Sequence, residues 1–516
     1  MNTQSENSPE PRPSFFSRLI RWMFSWRTLR RALLILAGLF TLVALFFAEE
    51  NWRGKRAWEK FKREWEAKGE RFDLAAFLPK PVPDDQNFVM TPFFAPLLEK
   101  ERKMAAGNWK DTNVLQSTLD VYGGAQGTTP SFGGLETAKL TDLQEWQKFY
   151  RSHTNLPSAP QPQAQAKDVL LALARFGPVL NELRDASRRP YAVFPLYQEK
   201  DPMFPVIHLS NLKSITTVLR LRAVAFLADG QSREALEDVK LSLRLADSLK
   251  PEPFLISHLV RIAILSISAN SVWEGLARHR WSEAELAELQ QLLGSIDLLA
   301  DYEHVLRGER AFGNAMLARL RRGQGGGDEP ADSGMQGVRR LIRVAPTGLL
   351  YQNQLRINQV HQLRTLPAID AGQHRVYSVQ SDQLANAPEI RKATPYNILA
   401  RLLFPAFGKS HAKTARAQVS LDQATVACAA ERFRIANGQY PEKLEALVPR
   451  FLEKIPTDVI NGKPLGYRRS DDGQFVLYSV GWNQKDDGGQ IVFRKGTTPR
   501  QDADQGDWVW SYPAGK

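Results

Sequence analysis

A chain of 516 residues is long enough for two or three domains with sizeable cores. Lys and Arg number 68 against 56 Asp and Glu, a net charge of +12. Outside the N-terminal tail this excess is scattered and often paired with acids, as at Lys60, Arg63, Glu64 and Glu66, so nucleic acid is not an expected partner. The single cysteine, Cys428, excludes an intramolecular disulfide framework, leaves stability to packing, and reads as a small buried hydrophobe.

Residues 1–31 form a basic tail in which Phe15, Phe16, Leu19, Ile20, Met23 and Phe24 recur at helical spacing among arginines. Such a pattern predicts an amphipathic segment lying on an anionic inner leaflet. Residues 32–48 are uncharged and apolar, about 25 Å of helix, near the lower limit for a transmembrane span. A cleaved signal peptide is the alternative, but the tail is long for its n-region, and a cut after Ala48 would put Phe46 where a small residue is needed. Arg12, Arg18, Arg21, Arg27, Arg30 and Arg31 precede the span, and Glu49 and Glu50 follow it. That order predicts a single-pass protein of the bacterial inner membrane, with a cytoplasmic N terminus and a periplasmic body.

Residues 49–165 are a juxtamembrane and mixed region. It opens with a helix over Asn51–Gly69, whose Trp58, Phe61 and Trp65 share a face, and ends in a linker-like stretch, Leu156–Ala166. Residues 166–322 read as a helical domain, a bundle or short solenoid. Helices are expected over Ser214–Ala228 and Arg233–Leu249, joined at Asp229-Gly230, and over Phe254–Ala277. His258, Arg261, Asn270 and Glu274 interrupt the last of these, so it reads as a core helix rather than a second span. Ser282 with Glu285 is a capping box, and Tyr302–Arg322 is a further helix. Residues 323–394 comprise the flexible run Gly323–Gly337, a helix over Leu349–Leu366 and weakly patterned chain.

Residues 395–516 carry the densest local signals. A helix from His411 ends at Asn437-Gly438. Tyr440-Pro441, Ile455-Pro456-Thr457-Asp458 and Gly462-Lys463-Pro464-Leu465 follow in order. Two alternating runs, Leu465–Arg468 and Phe475–Val480, flank the turn Asp471-Asp472-Gly473, and an acidic loop runs from Asn483 to Gly489. From about residue 412 to 516 this succession resembles the globular head of the type II secretion major pseudopilins. The resemblance implies a long helix packed on a small antiparallel sheet, with Val419, Val426, Ala430 and Phe433 against Tyr467, Phe475, Leu477 and Tyr478. The fold class expected for the whole chain is therefore α+β and mainly helical: one transmembrane helix, a helical bundle, and a pilin-like helix with its sheet.

Metal and nucleophile motifs do not emerge. The eight histidines show no ligand spacing, Phe407-Gly-Lys-Ser410 lacks the leading glycine of a phosphate loop, and no G-x-S-x-G elbow occurs. Asn483, Asp486, Asp487, Asp504 and Asp507 offer the hard oxygen donors that Ca²⁺ takes, and the resemblance implies calcium in this region; a solvated acidic turn is the alternative. In the resembled family, the helix entering the head leaves the membrane. Here Lys409, Lys413, Arg416, Gln418, Asp422 and Gln423 make it too polar for that, and the expected anchor lies far upstream. These signals together predict a non-catalytic scaffold or docking protein of the cell envelope whose partners are the lipid bilayer and other envelope proteins. The alternatives are an envelope enzyme with its site in the helical domain, or an accessory subunit of a type II secretion-like system.

Overall fold

The computed structural model describes residues 26–99, 119–122, 129–153, 156–195, 206–322, 345–494 and 500–513. The amphipathic tail Phe15–Phe24 and the run Gly323–Gly337 lie outside the described residues. Within them the chain is mainly helical, with two small antiparallel sheets.

The sequence places a span over residues 32–48 and a helix leaving the membrane over Asn51–Gly69; one helix of 41 residues, Trp26–Glu66 (α1), carries both. No Gly or Pro falls between Glu49 and Arg53 to break it. Pairs at four-residue spacing (Arg53 with Glu49, Lys55 with Glu59, Lys60 with Glu64, Lys62 with Glu66) support its exposed side. The apolar window is wholly uncovered by the rest of the protein. Further on, Trp58 and Phe61 are buried against Phe72 and Leu355.

Helices α2 (Leu143–Arg151), α3 (Gln165–Leu173) and α4 (Gly177–Ser187) lead to the hairpin of α5 (Ile207–Ala228) and α6 (Ser232–Asp247). Asp238 on α6 is fully buried and paired with Arg184 of α4 and Arg222 of α5, so one carboxylate locks three helices in register. Helix α7 (Leu255–Ala277) is apolar and long enough to cross a bilayer. It is instead packed inside the body, with Arg261 bonded to Asp301 Oδ2 at 2.6 Å and Glu274 accepting the Thr141 N–H at 2.8 Å. Both bonds of the Ser282–Glu285 capping box open α8 (Glu283–Gly294). Helix α9 (Leu298–Arg321) starts four residues before the predicted Tyr302, because Asp297 accepts the N–H groups of Leu299 and Ala300.

Helix α10 (Thr347–Val360) ends in a wide π turn, His361–Thr365, inside the span read as a single helix. The weakly patterned chain after it contains a hairpin of β1 (Ile369–Asp370) and β2 (Arg375–Val376) and the short α11 (Ser378–Asp382). Helix α12 (Ile398–Asn437) is 40 residues long and starts thirteen residues before the expected His411. Its first turns are fixed by Asn353 of α10, whose Oδ1 accepts the Leu399 N–H at 3.0 Å and whose Nδ2 donates to Pro395 O at 2.7 Å. The helix stops at Gly438, which takes φ +80 and donates its N–H to Arg434 O.

The second sheet has the order β3 (Gly466–Arg469), β4 (Phe475–Ser479), β5 (Trp508–Trp510), all antiparallel, with Leu477 opposite both Tyr467 and Trp510. Gln423 of α12 ties the sheet to the helix by donating to Trp508 O at 2.7 Å. Asp458, from the Pro-x-Asp motif, is buried and accepts from Ile460 N, Ser479 Oγ and Val480 N at 2.9–3.0 Å. Val426 and Ala430 share one core with Phe475 and Leu477, whereas Val419 belongs to a second core with Val480, Trp482 and Trp508. Two expectations need correction. Phe433 is only half-buried and packs edge-on against Phe451, 5.5 Å between centroids. Tyr478 cannot face the helix together with Leu477, since neighbouring strand residues point to opposite faces; it is half-buried on the outer face.

Beside this sheet Glu431 of α12 gathers His279 Nδ1 (2.8 Å), Arg434 Nη2 (2.7 Å) and the Tyr440 hydroxyl (2.5 Å). Burial alone would raise its carboxyl, but the hydrogen bonds from His279, Arg434 and Tyr440 outweigh that and hold it at about 2. A carboxyl lowered from its ordinary 4.5 gives stability that is fully present above pH 4.5 and lost as pH falls toward 2. The expected size is about 3 kcal/mol, from some 1.4 kcal/mol per unit. Glu431→Gln should therefore flatten the acid limb of a urea-denaturation stability profile between pH 4.5 and 2, and an unchanged limb would remove Glu431 from that role.

Candidate functional site at the base of the apolar helix

Helices α1 and α10 cross through two glycines. A Cβ on Gly54 would stand 2.5 Å from the Gly348 carbonyl oxygen, and one on Gly348 would stand 2.1 Å from that of Glu50, so no larger residue fits either position. Asn51 Oδ1 accepts the Gly348 N–H at 2.7 Å and the Thr347 hydroxyl at 3.0 Å. A side chain of α1 thus supplies the N-terminal cap that α10 lacks in its own sequence. Glu50 is 2% exposed. It accepts the Tyr396 hydroxyl at 3.1 Å and pairs with Arg53, which also donates to Tyr396 Oη at 3.3 Å.

Against this crossing lies a cleft of about 480 Å³ lined chiefly by Arg53, Arg356, Arg391, Lys392, Glu389 and Tyr396. Its outer wall is the loop 388–397, held by buried Asn397 and by Arg401. Asn397 accepts the Thr394 N–H at 2.9 Å and donates to Lys392 O at 2.9 Å. Arg401 donates to the carbonyls of Ile390 and Arg391, both at 2.6 Å. With the loop's carbonyls used internally, Arg391 and Lys392 keep their charged heads exposed at the rim. Glu389 is the carboxylate of the lining, and Arg364 engages its Oε1 at 3.2 and 3.3 Å. A second cleft of about 350 Å³ along α10 is lined by Arg321, Arg322, Thr347 and Tyr351, with the Arg321 guanidinium 4.0 Å from the Tyr351 ring centroid. Cations supplied by α1, α9, α10 and the 388–397 loop thus line two clefts beside the place where the apolar helix meets the body. Their chemistry is that of anion binding.

The acidic residues singled out in the sequence lie in the 483–489 loop and beside β5. Asp507 is buried and accepts the N–H groups of Asp487 (3.3 Å) and Gly489 (2.6 Å), stapling the loop to β5. Asp487 pairs with Lys485, and Asp504 pairs with Arg494 at 2.9 Å. Asn483 Oδ1 accepts the Lys485 N–H and Asp486 Oδ1 accepts the Gly488 N–H, both at 3.0 Å. Among the described residues no three His, Cys, Asp or Glu side chains gather where they could hold a metal ion. Cys428 is fully buried, and burial pushes its thiol up to about 12.

The fold also assembles a polar seam invisible in the sequence. His258 bonds Thr414 Oγ1 at 3.1 Å and stacks on Tyr302, whose hydroxyl meets Ser410, while Ser381 Oγ bonds His411 Nδ1 at 2.9 Å. Every member is sealed from solvent, and burial pushes His258 and His411 down to about 3, so both rings are neutral. The Ser381–His411 bond joins α11 to α12, with both side chains buried. Comparison with protein-family models, curated proteins and solved structures finds no match to this chain.

The loop geometry makes a sharp prediction. Asp507→Ala strips two backbone N–H groups of their acceptor and should cost about 1–3 kcal/mol in urea denaturation. The melting temperature of the wild-type chain should be the same in chelator and in millimolar calcium. A calcium-dependent rise that Asp507→Ala abolishes would assign the loop a metal-binding role.

Proposed function

We propose that this chain is a single-pass, membrane-anchored envelope protein that works as a non-catalytic scaffold or docking protein. The observation that carries the reading is the continuity of α1. Its apolar first half is uncovered, its second half is locked into the body at Gly54–Gly348, and no break separates the two. An apolar helix joined without a hinge would hold the body at a set height and angle on a bilayer, which suits a protein that presents a surface rather than one that turns over a soluble substrate.

The proposed orientation puts the N terminus in the cytoplasm and the body outside. Six arginines precede the span, and Glu49 and Glu50 follow it at once. Of the cations beyond it, Arg53, Lys55, Lys60 and Lys62 are each paired with a carboxylate. We further propose that the C-terminal helix and sheet form a pseudopilin-like docking module. Supporting this are the α12 stop at Gly438, the Tyr440 hydroxyl on Glu431, and the buried Asp458 that gives the Pro-x-Asp motif its structural reason.

Fusions test the reading. A reporter active only outside the cytoplasm, joined after Lys516, should be active, and the chain should stay with membranes in alkaline carbonate. Activity only from a cytoplasmic reporter would overturn the orientation, and release by carbonate would overturn the anchor.

A further inference from the structure

We propose that the basic cleft at the base of α1 is a binding site for the phosphate headgroup of an anionic phospholipid in the bilayer that α1 enters. The inference rests on the membrane-anchor reading and adds a ligand to it. Depth is the first argument. Arg53 lies five residues beyond Ala48, about 7.5 Å along the helix. The headgroup layer occupies about 5–8 Å on each side of the hydrocarbon core. The cleft that Arg53 lines therefore opens at the level where lipid phosphates lie.

Charge is the second argument. Arg53 is occupied by Glu50 and Tyr396, and Glu389 by Arg364. Arg391 and Lys392 have no carboxylate partner among the described residues, and Arg356 is bonded only to the neutral Gln359, at 2.8 Å. Arg356, Arg391 and Lys392 thus outnumber the one lining carboxylate, Glu389, whose Oε1 is engaged by Arg364, and they come from α10 and from a loop that Asn397 and Arg401 hold in shape before any ligand arrives. The second cleft, lined by Arg321 and Arg322, extends the same basic collar along α10. A guanidinium pair with an ammonium at the rim fits a phosphodiester oxygen pair, and each such cation near an anionic surface strengthens the attraction about fivefold.

Inorganic phosphate shares this chemistry, so the test separates the two sources. The full chain is placed in nanodiscs of phosphatidylcholine with phosphatidylglycerol, washed with alkaline carbonate, and released for native mass spectrometry. Wild-type protein should retain phosphatidylglycerol over phosphatidylcholine. R391Q/K392Q should lose that preference about 25-fold, about fivefold for each cation removed, with no change in melting temperature, because both side chains are exposed. R356Q should lose it in part. Equal retention of phosphatidylglycerol by wild type and R391Q/K392Q, in chain that stays in the disc, would overturn the headgroup site while leaving the anchor intact. Loss of the chain in the carbonate wash would overturn the anchor and the headgroup site together. Lipid-free protein in a non-ionic detergent should show no melting shift with millimolar inorganic phosphate. A shift of that kind, absent in R391Q/K392Q, would assign the cleft to soluble phosphate and overturn the lipid source.

Discussion

The constraint that sets how the apolar helix joins the body is steric: two glycines, Gly54 and Gly348, at which helices α1 and α10 touch backbone to backbone. Close approach brings Asn51 within reach of the first N–H groups of α10 and buries Glu50 beside Tyr396. Each follows from the other. Without the contact, Asn51 could not cap α10 and the Glu50 carboxylate would have to leave its buried site, because an unpaired buried charge is costly. The direction in which the apolar segment leaves the body, and the position of the basic cleft beside it, are both set by this crossing.

Buried ionic groups fix the rest of the arrangement. Arg310 of α9 is fully buried; it donates to Glu70 and to Arg71 O at 2.7 Å and lies over the Phe72 ring, which clamps the chain just beyond α1 to the body. Asp238 does the same for α4, α5 and α6, and Glu431 for the turn after α7, the end of α12 and Tyr440. Such groups add little net stability over apolar replacements, but each is satisfied in one arrangement of its helices only. Long α12 contributes side chains to both main cores.

Local signals were legible in the sequence where the interaction is local. The capping box at Ser282, the stop at Gly438, the hairpin turn at Asp471–Gly473 and the apolar run of α1 each rest on neighbours a few residues apart. What escaped depends on distant partners. Strand β5 is three residues near the chain end, defined by its pairing with β4, and a run of that length has no period to read. The start of α12 is set by Asn353, far back in α10. Glu50 read as an acidic flank marking orientation, and its burial by Tyr396 could not be seen from either residue. The basic cleft draws Arg53, Arg356 and Arg391 from three separate segments, none of which is a motif by itself. In the acidic loop, composition alone does not separate carboxylates that staple backbone N–H groups, as Asp507 does, from carboxylates that bind calcium.

Rigid attachment requires α1 to be one unbroken helix from the apolar run into the body, and amide hydrogen exchange on the full chain in nanodiscs reads that directly. The N–H groups of residues 49–60 should exchange as slowly as those of residues 36–46, with no gap in protection at the crossing with α10. Fast exchange confined to residues 48–53, between two protected segments, would reveal a hinge and contradict the rigid attachment on which the scaffold reading stands.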